Sequence, residues 1–199
     1  MIGTPGQMNT QSERGRKLMQ IIGNNFFETI VEIGMWNGLG STLCILKSKK
    51  ENCEFISLES NLNFFEIAGQ NLSSYTGKFK MIHGSIVEHD ELLEYSNTLT
   101  LNKEQKKWLE EDLTNIVNTK SVLNQLPEKI DLLLLDGGEF ASYLEWKKLE
   151  PRTKFVALDD TNVLKNNRVM NELSENKSYR LVDSTNEGHG FCIFEKINK

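Results

Sequence analysis

Seven short runs of β-branched and aliphatic residues recur along this chain, most of them separated by stretches long enough for a helix. That alternation constrains the fold more than any other feature. The runs occupy residues 29–33, 54–58, 79–83, 130–135, 154–158, 179–183 and 190–194. The fourth, Ile130 and Asp131 followed by four leucines, is apolar almost throughout, as expected of a strand covered on both faces in a parallel sheet. It belongs at the centre. Right-handed crossover helices fit between the first five runs, whereas the six residues 184–189 suffice only for a hairpin between the last two. The intervening stretches carry helical spacing. Phe64, Phe65, Ala68 and Leu72 follow Asn61 on one face, and Tyr143, Leu144 and Leu149 precede Pro151, which stops a helix. A further helix is expected over 11–22, burying Leu18, Met19, Ile21 and Ile22, with the first ten residues loose until something binds.

At 199 residues the chain is expected to form one domain, 1–199, with an N-terminal arm and helix over 1–24. A long connection, 88–129, holds a charge-rich stretch from Lys103 to Asp112 that reads as a solvated helix, the alternative being a lid or a homodimer contact. The formal charge of −5 offers no general attraction to phosphate backbones or anionic lipid, so no nucleic-acid or membrane partner is expected. No apolar run reaches the ~18 residues of a membrane span, and 1–11 lacks a signal-peptide layout, so the expected compartment is the cytoplasm. Cys44, Cys53 and Cys192 show no metal or disulfide spacing and should be reduced and mostly buried.

The first run leads into Glu32-Ile-Gly34-Met-Trp-Asn-Gly38-Leu-Gly40-Ser41-Thr42, a turn tight enough to lie beside a nucleotide-like group, with Ser41 or Thr42 opening the next helix. A dinucleotide fingerprint would need a third glycine at position 43, which is leucine, so the spacing is G-x-x-x-G-x-G instead. Glu59 closes the second run, about 25 residues past Gly34, and a carboxylate can accept both hydroxyl hydrogen bonds of a ribose. An acidic residue followed by glycines at this spacing, with a second acid at the end of strand two, resembles the class I S-adenosylmethionine-dependent methyltransferases. The resemblance covers about residues 12 to 196. It implies an α/β, Rossmann-like fold whose seven-stranded, mostly parallel sheet has order 3-2-1-4-5-7-6 with the last strand antiparallel and helices on both faces. It also implies S-adenosylmethionine as cofactor, held by Glu32, Gly34, Gly38, Gly40 and Ser41, by Glu59 on the ribose, by Ser85 and Ile86 after strand three at the adenine, and by Asp136. Trp36, inside the turn, reads as packing.

Acids also gather where strands four and five end, at Asp136-Gly-Gly-Glu139 and at Asp159-Asp160. Open α/β sheets bind ligands in that crevice. Three converging aspartates would repel one another unless a cation neutralised them, and an all-oxygen set suits a hard ion. Adjacent strand residues face opposite ways, so Asp159 and Asp160 can converge only if the backbone leaves the strand there. This pattern resembles the Mg²⁺-dependent O-methyltransferases, which include catechol-type and macrolide or aminocoumarin sugar enzymes. The resemblance implies a divalent cation, Mg²⁺ foremost, on Asp136, Asp159 and Asp160, holding the acceptor hydroxyl. Where relatives carry a histidine or lysine three residues after the first of these acids, this chain has Glu139. Glu139 and Asp136 are therefore the candidate catalytic residues, with a helix N-terminal acid or a fourth metal ligand as the other roles for Glu139. His189 is a secondary candidate base, and His83 and His89 carry no signal of a partner.

The expected activity is metal-assisted O-methylation of a small hydroxylated acceptor such as a sugar or phenol. Two alternatives stand beside it. One is a binding module of this fold that performs no transfer, which Glu139 in place of a histidine or lysine favours. The other is metal-independent methylation of nitrogen or carbon, in which the paired aspartates would be dispensable.

Overall fold

The computed structural model describes residues 2–117, 119 and 121–197, the side chain of Val117 excepted; the expectations for 1–24, 88–129 and 1–199 that touch residues 1, 118, 120, 198 and 199 fall there outside the described residues. A seven-stranded sheet runs in the order β3-β2-β1-β4-β5-β7-β6. Its strands are β1 (Thr29–Ile33), β2 (Glu54–Glu59), β3 (Phe79–His83), β4 (Ile130–Leu135), β5 (Thr153–Asp159), β6 (Tyr179–Thr185) and β7 (Phe191–Lys196). The first five pair in parallel, and β7 runs antiparallel to both β5 and β6. The closing hairpin is the one expected from the sequence, and the strand order is the one that the resemblance implies.

The leucines of β4 show why the sheet is covered twice. Leu133 and Leu135 enter one apolar cluster with Val31, Ile33 and Trp146, while Leu132 and Leu134 enter another with Ile30, Ile45 and Phe55. Alternate side chains of a strand point to opposite faces, so a run of leucines feeds two cores at once. The helices are α1 (Glu13–Asn24), α2 (Ser41–Ser48), α3 (Leu62–Asn71), α4 (His89–Ser96), α5 (Lys103–Val117), α6 (Ser142–Leu149) and α7 (Leu164–Glu175). Asn61 caps α3 by accepting from the Phe64 N–H at 3.1 Å, and Ser12 caps α1 by accepting from Gly15 at 3.1 Å, which moves the start of α1 two residues past the expected one. On α6 the buried face centres on Glu145 and Trp146 rather than on Tyr143 and Leu144, which are only partly buried. All three cysteines are free and buried, as expected. No helix among the described residues is long and apolar enough to cross a membrane.

The expectation of a loose N-terminus is corrected. Asn71 exchanges hydrogen bonds with the backbone of Ile2, the Asn37 side chain donates to the Thr4 carbonyl at 2.9 Å, and Met8 is buried. The arm lies across the glycine turn because two asparagine amides satisfy its backbone, and because Gly6 and Gly40 let the two chains approach. The 88–129 connection forms α4 and α5. Lys107, Glu110 and Glu111 of α5 are exposed, and together with Asp112, Asn115 and Ile116 they line a cavity.

Candidate active site

Two cavities open at the carboxyl ends of the parallel strands. The larger, of about 710 Å³, is lined by Gly34, Trp36, Glu59, Gly84, Ser85 and Asp136 among others, with α5 as one wall. The smaller, of about 360 Å³, lies between the N-terminal arm at Pro5 to Met8 and a floor of Gly40, Ser41, Asp136, Asp159 and Asp160. Gly34, Trp36 and Asp136 line both, so the two form one crevice with two ends.

Glu59 defines the first end. Strand β2 delivers it to the turn, where its Oε2 accepts from the Trp36 N–H at 2.8 Å and its Oε1 from the Asn61 N–H at 2.9 Å. Among the described residues no cation is paired with it. Burial pushes its carboxyl up to about 7, against the pull of those backbone donors. Gly34 makes the approach of β1 to β4 possible: its φ is +93°, and a Cβ there would stand 2.3 Å from the Asp136 carbonyl oxygen. Trp36, expected to be packing, is 40% exposed and lines both cavities, with its ring edge against Phe64.

Other residues assigned from sequence to the cofactor divide. Gly34, Gly40, Ser41, Glu59, Ser85 and Asp136 line the crevice. Glu32, Gly38 and Ile86 line neither cavity. Glu32 is fully buried beneath the turn, where its Oε2 accepts from Thr42 and Ser57 and so ties α2 and β2 to β1. Burial raises its carboxyl to about 7. Gly38 packs beside Leu72 and Ala68, and Ile86 belongs to the larger core cluster. The Ser85 hydroxyl is engaged with the backbone of Val87.

At the second end the three aspartates do converge. Asp136, Asp159 and Asp160 each offer a carboxylate oxygen, all lying within 4.8 Å of one another. The backbone leaves β5 at Asp160, whose φ of +55° turns its carboxylate towards that of Asp159. Sequence reasoning missed what accompanies them. Lys165 Nζ donates to Asp136 Oδ1 at 2.7 Å and lies 3.4 Å from Asp160 Oδ2, while Arg14 donates to Asp159 Oδ1 at 2.7 Å and to Asp160 Oδ1 at 3.2 Å. Ser41 Oγ approaches Asp136 Oδ2 at 3.3 Å. Both cations are buried, with side chains 3% exposed for Arg14 and 8% for Lys165. Burial opposes the charge on Lys165, but the three aspartates outweigh it and hold its ammonium above the ordinary lysine range. Asp159 is driven up by burial and by the negative charges of Asp136 and Asp160, with Lys165 and Arg14 acting the other way. The neighbouring Asn166 donates to the carbonyls of Leu135 and Asp159, locking the ends of β4 and β5 together.

The remaining candidates are Glu139 and the histidines. Glu139 precedes α6 instead of sitting in its first turn, its carboxyl accepts from the backbone N–H of Lys165 in the first turn of α7, and it lies outside the group formed by Asp136, Asp159 and Asp160. Burial and Asp160 raise its carboxyl while Lys165 and His189 act against them. His189 contributes its carbonyl, which accepts from Asn162, and His83 faces the Ser60 carbonyl at 3.1 Å. Asp112 and Glu145, to which the sequence reading gave no role in the site, line the larger cavity; burial raises them to about 6 and about 8, and among the described residues Asp112 Oδ2 and Glu145 Oε2 have no hydrogen-bond partner.

The glycine turn, Glu59 and the larger cavity fit a nucleoside. Three aspartate oxygens would by themselves suit a divalent ion, but with Arg14 and Lys165 already bonded to all three carboxylates the cluster does not fit one.

No protein-family model matches the chain, and no curated protein matches it in sequence. Solved structures are similar in shape. A methyltransferase from Geobacter sulfurreducens superposes with a TM-score of 0.65 over 96% of this chain and 82% of its own, at 11% identity. The O-methyltransferase from Bacillus cereus in complex with SAH gives 0.62 over 96% and 83%, at 13% identity. The O-methyltransferase TomG from Streptomyces achromogenes, in complex with SAM, gives 0.60 over 96% and 82%, at 12% identity. At these identities the likeness is one of fold.

Proposed function

We propose that this protein is an S-adenosylmethionine-dependent methyltransferase acting on a small acceptor, with the adenosyl part of the cofactor in the larger cavity and the acceptor reached past Asp136. The observation that carries the reading is Glu59, a buried carboxylate with no cation beside it among the described residues, held by two backbone N–H groups against a cavity of about 710 Å³. Each of its oxygens keeps a lone pair for a hydroxyl, which is what a ribose diol needs. Solved structures similar in shape include O-methyltransferases in complex with SAM and SAH, which supports the same cofactor.

Methyl transfer moves a carbon from a positive sulfur to a nucleophile aligned with it, so placing the two reactants supplies most of the acceleration. Trp36 and Gly34, shared by both cavities, lie on the path between them. For a hydroxyl acceptor, the released proton would go to Asp136, the carboxylate lining both ends. The divalent ion implied by resemblance is not part of this reading, since two side-chain cations already hold the aspartates.

That same occupancy favours a second reading, transfer to an amine, whose neutral nitrogen is nucleophilic without a metal. One experiment decides among these and a non-catalytic module. Purified protein is titrated with S-adenosylhomocysteine by calorimetry, then incubated with methyl-labelled S-adenosylmethionine and matched panels of hydroxylated and amino acceptors. Saturable binding with label on oxygen supports the first reading, and label on nitrogen the second. Binding without transfer to either panel leaves the module, and no binding overturns the cofactor.

A further inference from the structure

We propose that Arg14 and Lys165 stand in place of the metal at the aspartate end of the crevice, so that this site carries its counter-charge in its own side chains and excludes divalent cations. The proposal goes beyond the methyltransferase reading and rests on it only in calling this end of the crevice the acceptor end.

Four observations converge on it. The contacts are specific, because each cation bridges two of the three carboxylates, Lys165 joining Asp136 to Asp160 and Arg14 joining Asp159 to Asp160. Both side chains are buried, where an ammonium or guanidinium is found only with partners that compensate its lost hydration. Both also occupy the first turn of a twelve-residue helix, Arg14 on α1 and Lys165 on α7, where the helix dipole disfavours a cation. Their placement is therefore explained by the aspartates and by nothing in their own helices. Finally, Arg14 is held from behind: Gln7 Oε1 accepts from its second terminal nitrogen at 3.1 Å, and Glu187 Oε2 accepts from its backbone N–H at 2.9 Å.

A divalent ion entering among these oxygens would have to displace Lys165 from Asp136 or Arg14 from Asp159, and would then sit beside two fixed positive charges with little water to screen them. The two cations do what an ion would do for the aspartates, holding three mutually repelling carboxylates at one point. Unlike an ion, they offer no open coordination position to an acceptor, which leaves orientation to the arm and the cavity walls.

The test is Mn²⁺ alone, titrated into the full chain and followed by the loss of the free-ion electron paramagnetic resonance signal. Wild-type protein is expected to show no site tighter than about 1 mM. Lys165→Ala, which frees an oxygen of Asp136, is expected to bind at least about tenfold more tightly and to gain melting temperature when Mg²⁺ is added, while Lys165→Arg, which keeps the charge, should behave as wild type. One Mn²⁺ per wild-type chain with micromolar affinity, lost in Asp160→Asn, overturns the proposal. So does a folded Lys165→Ala that gains nothing. If Lys165→Ala does not fold, the wild-type titration with its Asp160→Asn control still decides. S-adenosylhomocysteine affinity measured on the same samples, with and without EDTA, reports separately on the cofactor reading.

Discussion

The two ends of the crevice solve one problem, a carboxylate withdrawn from water, in opposite ways. At the Glu59 end the charge is met by backbone N–H groups of Trp36 and Asn61, both supplied by segments adjoining the strands that make the cavity. At the aspartate end it is met by two buried side-chain cations, one from the first helix and one from the seventh. Backbone donors solvate part of a charge and leave capacity for a ligand; a salt bridge neutralises it and leaves little. The first end is thus built to receive hydrogen-bond donors and the second to hold its own shape.

Breaking the second end should cost the most. Arg14→Met leaves the buried Asp159 and the half-buried Asp160 without their guanidinium, and the loss of folding stability in urea is expected at about 3–5 kcal/mol. A loss below ~1 kcal/mol would mean that the bridge is no tighter than a surface pair. At the first end, Glu59→Ala should weaken S-adenosylhomocysteine binding by roughly 10- to 100-fold, the value of one or two charged hydrogen bonds, without lowering the melting temperature, because the residue removed was desolvated and had no cation. Equal affinity in calorimetry would remove Glu59 from the cofactor site.

Raising the pH sharpens the contrast further. Glu145 titrates near 8 in the fold against 4.5 as a free side chain, so between those values the folded state binds the extra proton and stability falls as pH rises. The slope from this one group approaches about 1.4 kcal/mol per pH unit, and Glu145→Gln should flatten the urea-derived stability profile across that window. An unchanged profile would show that Glu145 is ionised in the fold. The smallest effect belongs beneath the turn. Thr42→Val removes one hydroxyl from Glu32 and should cost about 1 kcal/mol in the same denaturation, with S-adenosylhomocysteine affinity kept, since Glu32 lines neither cavity. A drop in affinity larger than the stability loss would put Glu32 back in the cofactor site.

Much of this was readable in advance because it depends on near neighbours. The seven strands, the glycine turn, Glu59 at the end of β2 and the exit of the backbone from β5 at Asp160 each follow from apolar period, backbone freedom and position at a strand end. Motif spacing could not separate lining from support. Glu32, Gly38 and Ile86 fit the pattern as well as Gly34 and Ser41 do, but the alternation of β1 turns Glu32 under the sheet surface, and Ile86 drops into the core. Trp36 was misread because a large aromatic is usually buried, whereas a φ of +48° swings this one to the mouth of the crevice.

The sequence by itself determined the seven strands, the closing hairpin and the placing of acids at strand ends, since apolar period and connection length are local, while the order of the sheet came with the resemblance that the glycine turn and Glu59 carry. Only the tertiary structure decided what those acids are paired with. Arg14 lies 145 residues from Asp159 in the chain, and Lys165 lies 29 from Asp136, so neither pairing leaves a trace in local spacing. A motif records where a charge is placed along the chain, but its partner is chosen by which helices the folded core brings against it.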